Sequence, residues 1–467
     1  MISQQTKKAE LKTLITLFIP AVLSQLALMA TIVTDTLMAG NYSTDSLAAI
    51  SLASYVLQPM AVFVVGIFVA LNPMVSQLNG KEQFTHIKQT LEHGLLLACA
   101  LFLPCALFLW QFEWFISFFN IEQKIIGLTQ SYLKAISWGL LPYFLFLAFR
   151  FFNEGLFMPK VVMFMNLMAI PLNILLNWLL IYGHWGFPEL GTQGIGYATS
   201  IVWLAMFLGI LLFNILSKST AHLNLFQSIS RFDGSIIFET LKIGLPIGLS
   251  LFLEIGMFAA MGFMVAGMGI STIAGHQLAM NISSVLFMIP LGVSIALTSR
   301  VGYYHGKSLP AMVGLVSKIG VTLCIGLAAL NIFIMVVLAK WLLGFYTSDV
   351  DVIAIGSSLL LLAAIYQFSD SMQVVCAGIL RGLKDTTIPM YINIFSYWVI
   401  GVPLAYVLAL LLGFGVSGLW WGMAIGLTCS ALLMWRRLVA QKLFTAAKDH
   451  QLTHEKNKPI EQEVLQD

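Results

Sequence analysis

Three carboxylates stand in stretches that otherwise read as lipid-facing: Asp35 in ATIVTDTLMAG, Glu254 in LSLFLEIGMFAAMG and Asp370 in LLLAAIYQFSDSMQVV. An ionised acid at mid-bilayer depth costs ~2.5–3.5 kcal/mol on insertion scales, so acids retained there mark ion or substrate pathways. Around Asp370, Tyr366 at i−4, Gln367 at i−3 and Gln373 at i+3 put several oxygens on one helical face. A hard cation such as Na⁺ wants that many oxygen ligands, by extension of the rule for Ca²⁺ and Mg²⁺. A proton needs only a carboxylate in a desolvating site. These residues alone leave both ions open. Asn173 with Asn177, and Gln277 with Asn281, form two i, i+4 amide pairs. Each pair would line a polar site or tie helices together by hydrogen bonds. His276 adjoins Gln277 and has no evident partner in sequence. Asp35 lies near the end of its apolar stretch, where an acid could also simply be hydrated.

The elements that must carry these acids are membrane spans. The chain has 467 residues, of which 59% are hydrophobic and 10% charged, and its mean hydropathy is +0.89. No soluble core of this length absorbs that much apolar surface. Apolar windows of spanning length fall at about 14–38, 47–71, 91–112, 130–152, 160–182, 193–216, 240–265, 273–298, 314–338, 353–378, 388–412 and 416–438. Helices are the structures that satisfy their backbone inside lipid. With the N-terminus inside, 21 of the 24 Lys and Arg residues fall on the inner side, against Lys124, Lys134 and Lys340 outside. That asymmetry predicts an even number of spans with both termini cytoplasmic in a cell inner membrane.

The chain also repeats itself. A shift of 226 places Pro20 on Pro246, Gly66 on Gly292, Ala70 on Ala296, Val75 on Val301 and Gly80-Lys81 on Gly306-Lys307. With small gaps Gly155-Leu156 falls on Gly382-Leu383, and Gly191 and Gly194 on Gly415 and Gly418. A six-helix unit repeated in the same orientation predicts an all-α membrane protein of two six-helix bundles related by a pseudo-two-fold axis along the membrane normal. Transporters of that plan bind substrate between the halves and alternate access by rocking. The expected organisation is a first bundle over 1–216, a linker over 217–239, a second bundle over 240–441 and a polar tail over 442–467. The acids do not repeat: Met261 stands opposite Asp35, Leu28 opposite Glu254 and Phe144 opposite Asp370.

Several functions are excluded or disfavoured. The five cysteines are scattered through apolar stretches without a CxxC pair, so they read as packing residues. Gly302-Tyr-Tyr-His-Gly306-Lys307-Ser308 is one residue short of a phosphate loop and has no strand before it. No nucleotide, nucleic-acid or prosthetic-group partner is expected. The eight histidines are dispersed, which speaks against an embedded enzyme. Arg150, Arg381 and Lys384 read as topology markers at helix ends.

The motifs VTDTLMAG, VSQLNGK, LFLEIGMFAA, AGHQLAMNISSVLFMIP and AAIYQFSDSMQVVCAGILRGLKDT together resemble the NorM branch of the multidrug and toxic compound extrusion (MATE) family, over nearly the whole chain. The resemblance implies a monomeric antiporter that exports cationic amphipathic drugs in exchange for inward Na⁺ or H⁺. It places a cation site at Glu254, Asp370 and Tyr366, and a second acid at Asp35 near the Asn173–Asn177 pair. Gln277 and Asn281 fall beside Glu254 as candidate cavity residues. Thr34, before the helix-1 acid, and Pro171, displaced from between the two asparagines, depart from the usual pattern. A flippase for lipid-linked saccharides shares the broader architecture, but it should show a basic central cavity where this chain places acids.

Overall fold

The structure, a computed structural model, describes residues 3–112, 114, 122–225 and 231–441. The polar tail from 442 and residues 226–230 of the linker lie outside the described residues. Twelve membrane-length elements follow one another: α1 (Gln4–Tyr42), α2 (Thr44–Gly80), α3 (Phe84–Trp110), α4 (Gln123–Ser137 and Leu140–Gly155, bent by 49°), α5 (Pro159–Tyr182), α6 (Thr192–Leu216), α7 (Gly234–Val265), α8 (Ile270–Gly306), α9 (Pro310–Val337), α10 (Val350–Gly382), α11 (Thr387–Leu411) and α12 (Gly415–Ala440). Among the described residues there is no strand. The twelve windows read from hydropathy all become helices. Most run past their apolar stretch, because a helix continues through the interface for as long as its backbone and caps are satisfied.

The caps set those ends. Ser43 accepts from the Ser46 amide and starts α2 directly behind α1. Asp233 accepts from the Ser235 amide and starts α7 at Gly234, six residues before the apolar window. Asp349 accepts from the Asp351 and Val352 amides and starts α10. Pro159 and Pro310 occupy the first turns of α5 and α9, where a missing N–H costs nothing. The fourth span, one apolar window over 130–152, is a pair of helices bent around Trp138 and Gly139. A Cβ on Gly139 would strike Ser200 of α6, so the bend sits where two backbones approach closely.

The pseudo-two-fold is visible in the contacts themselves. A Cβ on Gly80 would collide with the Tyr303 carbonyl, and one on Gly306 with the Gln77 carbonyl. These four residues are exchanged by the 226-residue shift, so one crossing is made twice by equivalent atoms. Gly66 against Gly248 and Gly292 against Val22 form a second exchanged pair. The apparent phosphate loop is thus the end of α8, and its glycines serve this close crossing.

The hydrophobic cores show where the bundles meet. One large core, around Phe68, Phe144 and Leu133, draws only on the first bundle. Another, around Met257, Tyr397 and Trp420, draws only on the second. Two further cores straddle the halves: Leu14 and Leu17 of α1 pack with Val293 and Leu297 of α8, and Ala70 and Met74 of α2 with Ile243 and Ile247 of α7. All of these shared residues lie toward the face where α1 begins and α12 ends, called here the basic face. Toward the opposite, far face each bundle packs on itself.

Candidate functional site

Asp35 is on the far-face half of α1, seven residues before its end at Tyr42. It is not a hydrated terminal acid. Its carboxylate is 9% exposed and receives three side-chain donors. Asn173 and Asn177 of α5 both donate to Oδ1, at 2.9 and 2.7 Å, and Thr199 of α6 donates to Oδ2 at 3.1 Å. The i, i+4 spacing of the asparagines puts both amides on the α5 face that packs on α1. Thr199 has no signature in the sequence beyond being a polar residue in an apolar helix. Thr34, beside the acid, turns its hydroxyl back to the Ala30 carbonyl at 2.9 Å and takes no part.

The second-bundle acids are built differently. Glu254 of α7 and Asp370 of α10 lie within electrostatic reach of one another, and among the described residues neither carboxylate receives a hydrogen bond. Arg381, a few turns along α10, lies within electrostatic reach of Glu254, and buried Tyr397 of α11 lies within electrostatic reach of both acids. Tyr366, 4% exposed, stands one turn from Asp370 and packs its ring 6.1 Å from that of Trp420. Trp420 of α12 donates its indole N–H to His276 Nδ1 at 3.1 Å. That pair supplies the histidine partner which sequence adjacency hid, since the two residues are 144 apart. Gln367 and Gln373 are buried on the same face, Gln367 within 3.4 Å of the Ser371 hydroxyl. Among the described residues no three His, Cys, Asp or Glu side chains converge as a metal cluster.

Gln277 and Asn281 do not tie helices together. Both are exposed on the far-face half of α8 and form no side-chain hydrogen bond among the described residues. An exposed amide on a membrane-spanning helix must face water, because lipid cannot satisfy it. They sit on the half of the molecule where none of the hydrophobic cores among the described residues spans both bundles.

A family model described as MatE matches residues 20–179 and 246–407 of the chain. The chain belongs to the MatE family. Its two matched stretches begin 226 residues apart (246 − 20), the same offset as the internal repeat. Members of the family are transporters, and this MATE protein is a transporter and not an enzyme. Its fold matches the Vibrio cholerae MATE transporter VcmN in the bent form, at TM-score 0.84 and 16% identity, over 95% of this chain and 99% of that one. It matches the eukaryotic MATE transporter AtDTX14 at TM-score 0.82 and 17% identity, over 95% and 98%. A MOP superfamily transporter from Pyrococcus furiosus, described as having a binding pocket of reverse polarity that suggests a different function, matches at 0.83 and 18%, over 94% and 97%.

The basic-face seam of this MATE protein holds buried polar contacts between the bundles that sequence reading passed over. Glu10 of α1 accepts from Arg300 of α8 at 2.7 Å on each of its two oxygens, and from the Tyr304 hydroxyl at 2.5 Å. Arg300 also lies over the rings of Phe157, Tyr303 and Tyr304. Arg150, read as a topology marker, is instead buried: it donates to Glu154 Oε1 at 3.1 Å and to Gln25 Oε1 of α1 at 2.6 Å. Ser299 Oγ stands 3.0 Å from both Asn72 Oδ1 and the Glu154 carbonyl. Gln77 donates to the Gly382 carbonyl at 2.9 Å. Lys384, another of the three markers, pairs with Glu239 at 2.7 Å. Positions 10, 300 and 304 are distant in sequence and sit outside or at the margins of the apolar windows, so no local pattern links them.

Proposed function

We propose that this transporter is a multidrug efflux antiporter that exports cationic amphipathic compounds in exchange for inward Na⁺ or H⁺. It works as a monomer in a cell inner membrane, with its basic face and both termini cytoplasmic, and with bundles spanning 1–216 and 240–441 joined by the 217–239 linker. The observation that carries this reading is the contrast between the acids. Asp35 is saturated by three donors, whereas Glu254 and Asp370 lie within electrostatic reach of one another with no donor on either among the described residues. Two such carboxylates inside a membrane domain require a compensating positive charge. Arg381 offsets at most one of them, so the remaining charge calls for an external cation, with Tyr366 as a neutral oxygen beside it.

In this reading the bundles are closed on the cytoplasmic side and parted on the outer side, so Glu254 and Asp370 load from outside. Gln277 and Asn281 line the outward space through which a drug leaves. A cationic drug and a cation compete for the same negative field, so ion entry favours drug release. Asp35, held in a separate bundle, responds to the same exchange from the other wall. Mid-membrane acids in place of bases argue against a flippase for pyrophosphate-linked saccharides. The test is efflux of ethidium from proteoliposomes by wild type, Glu254→Gln and Asp370→Asn, with folding followed by size-exclusion chromatography. Each substitution should abolish ion-driven efflux in a folded protein, and export unaffected by both would overturn the reading.

A further inference from the structure

The outer surface of the second bundle carries a groove of about 620 Å³ between α10 and α12. Its walls include Ile365 and Tyr366 of α10 and Trp421, Thr428, Leu432 and Arg436 of α12. Ile365, Trp421 and Leu432 are exposed apolar residues on a membrane-spanning surface, so the groove opens to lipid and not to the space between the bundles. From Trp421 to Arg436 it follows α12 for about 22 Å at 1.5 Å per residue. That exceeds the ~15 Å half-thickness of a bilayer core, which is the depth of one leaflet's acyl chains. The floor is closed by a hydrogen bond from Thr428 Oγ1 to Ser369 Oγ at 3.0 Å.

The groove is apolar along its length and cationic at one end. Arg436 stands at the basic-face end of α12 and forms no salt bridge among the described residues. Its neighbour Arg437 is turned away and committed to Asp385 at 2.7 Å. A guanidinium at headgroup depth above an acyl-length slot matches a phosphate-bearing lipid in both charge and shape. The same charge repels a cationic drug. We infer that this groove is a binding site for one anionic phospholipid of the basic-face leaflet, with its headgroup on Arg436 and one acyl chain along α12 reaching Tyr366. Because Tyr366 lies one turn from Asp370, the bound chain packs against the back of the second-bundle acid pair.

Native mass spectrometry tests this on the full-length protein, purified from nanodiscs of phosphatidylglycerol or of phosphatidylcholine with matched chains. Wild type should retain one phosphatidylglycerol at least tenfold more strongly than phosphatidylcholine. Arg436→Gln should erase that preference. Cys429→Phe, which fills the groove at a half-buried lining position, should lower retention of both lipids. Equal retention of the two lipids by wild type would overturn the proposal, as would undiminished phosphatidylglycerol retention in Arg436→Gln. If Cys429→Phe fails to fold, the Arg436→Gln comparison decides.

Discussion

The Glu10–Arg300–Tyr304 cluster should act as the latch that holds the bundles closed on the basic face. Glu10→Ala removes an acceptor of two Arg300 contacts at 2.7 Å and of the Tyr304 hydroxyl, between side chains only 9% and 11% exposed. Removing one partner of a buried ion pair costs ~3–5 kcal/mol. Here the site lies at the membrane edge, and Arg300 keeps Tyr304 and three aromatic rings, so about 2–3 kcal/mol is the expected loss. At 1.4 kcal/mol per factor of ten, the closed state should lose roughly 30- to 150-fold against the state open on this face. Double electron–electron resonance reads this directly, with spin labels at Lys160 and Thr387 on the basic face and at Asn41 and Gly267 on the far face, in a background free of the native cysteines. In Glu10→Ala the Lys160–Thr387 distribution should gain a longer component while Asn41–Gly267 gains a shorter one. Arg300→Gln should do the same, and the double variant should shift little further, because both changes remove one interaction. Unchanged distributions in both variants, or strictly additive effects, would refute the latch.

The remaining predictions concern the scaffold and the first-bundle acid. Gly80→Leu or Gly306→Leu should abolish monodisperse expression, since a side chain at either would enter the opposing backbone, whereas Gly262→Ala, in open space, should leave fluorescence-detected elution unchanged. Thr199→Val should weaken Asp35's cradle by about 1 kcal/mol, the usual worth of one hydrogen bond, and Asn177→Leu by more, because it removes both the 2.7 Å donor to Asp35 and the 3.2 Å donor to Asn173 Oδ1. Thermal melting in detergent should rank them wild type, Thr199→Val, Asn177→Leu. The Ser235 side chain and amide hold the Asp233 carboxyl below its usual range. Its capping contribution is therefore present above the ordinary carboxylate pKa and is lost as pH falls through the lowered value. Protection of the amides at 234–237, taken relative to intrinsic exchange at each pH, should fall in that acid window, and Asp233→Ala should show the lower protection at every pH.

The fold was legible because lipid imposes a simple code: apolar runs of spanning length, basic residues on one side and a repeat offset that survives in glycines. Those glycines survive because each fills a crossing that the two-fold makes twice, as Gly80 and Gly306 show. Asn173 and Asn177 were legible through helical spacing, and their placement beside Asp35 rested on family resemblance. Thr199, Trp420 and Glu10 were not, because each meets its partner across more than 140 residues and none carries a local pattern. The same limit applied to Arg150, whose charge counts identically for topology whether it faces water or, as here, Gln25 and Glu154. Gln277 and Asn281 had two readings with one spacing, and their exposure without a side-chain hydrogen bond among the described residues speaks against interhelical glue.

The central claim is that cation entry through Glu254 and Asp370 drives export. Dye efflux from proteoliposomes, measured under an inward Na⁺ gradient at zero ΔpH and then under an inward proton gradient without Na⁺, tests it most directly. At least one gradient should accelerate wild-type efflux, and the acceleration should fall at least tenfold in Glu254→Gln and in Asp370→Asn. Efflux indifferent to both gradients, or gradient-driven efflux that survives the double substitution, would contradict it.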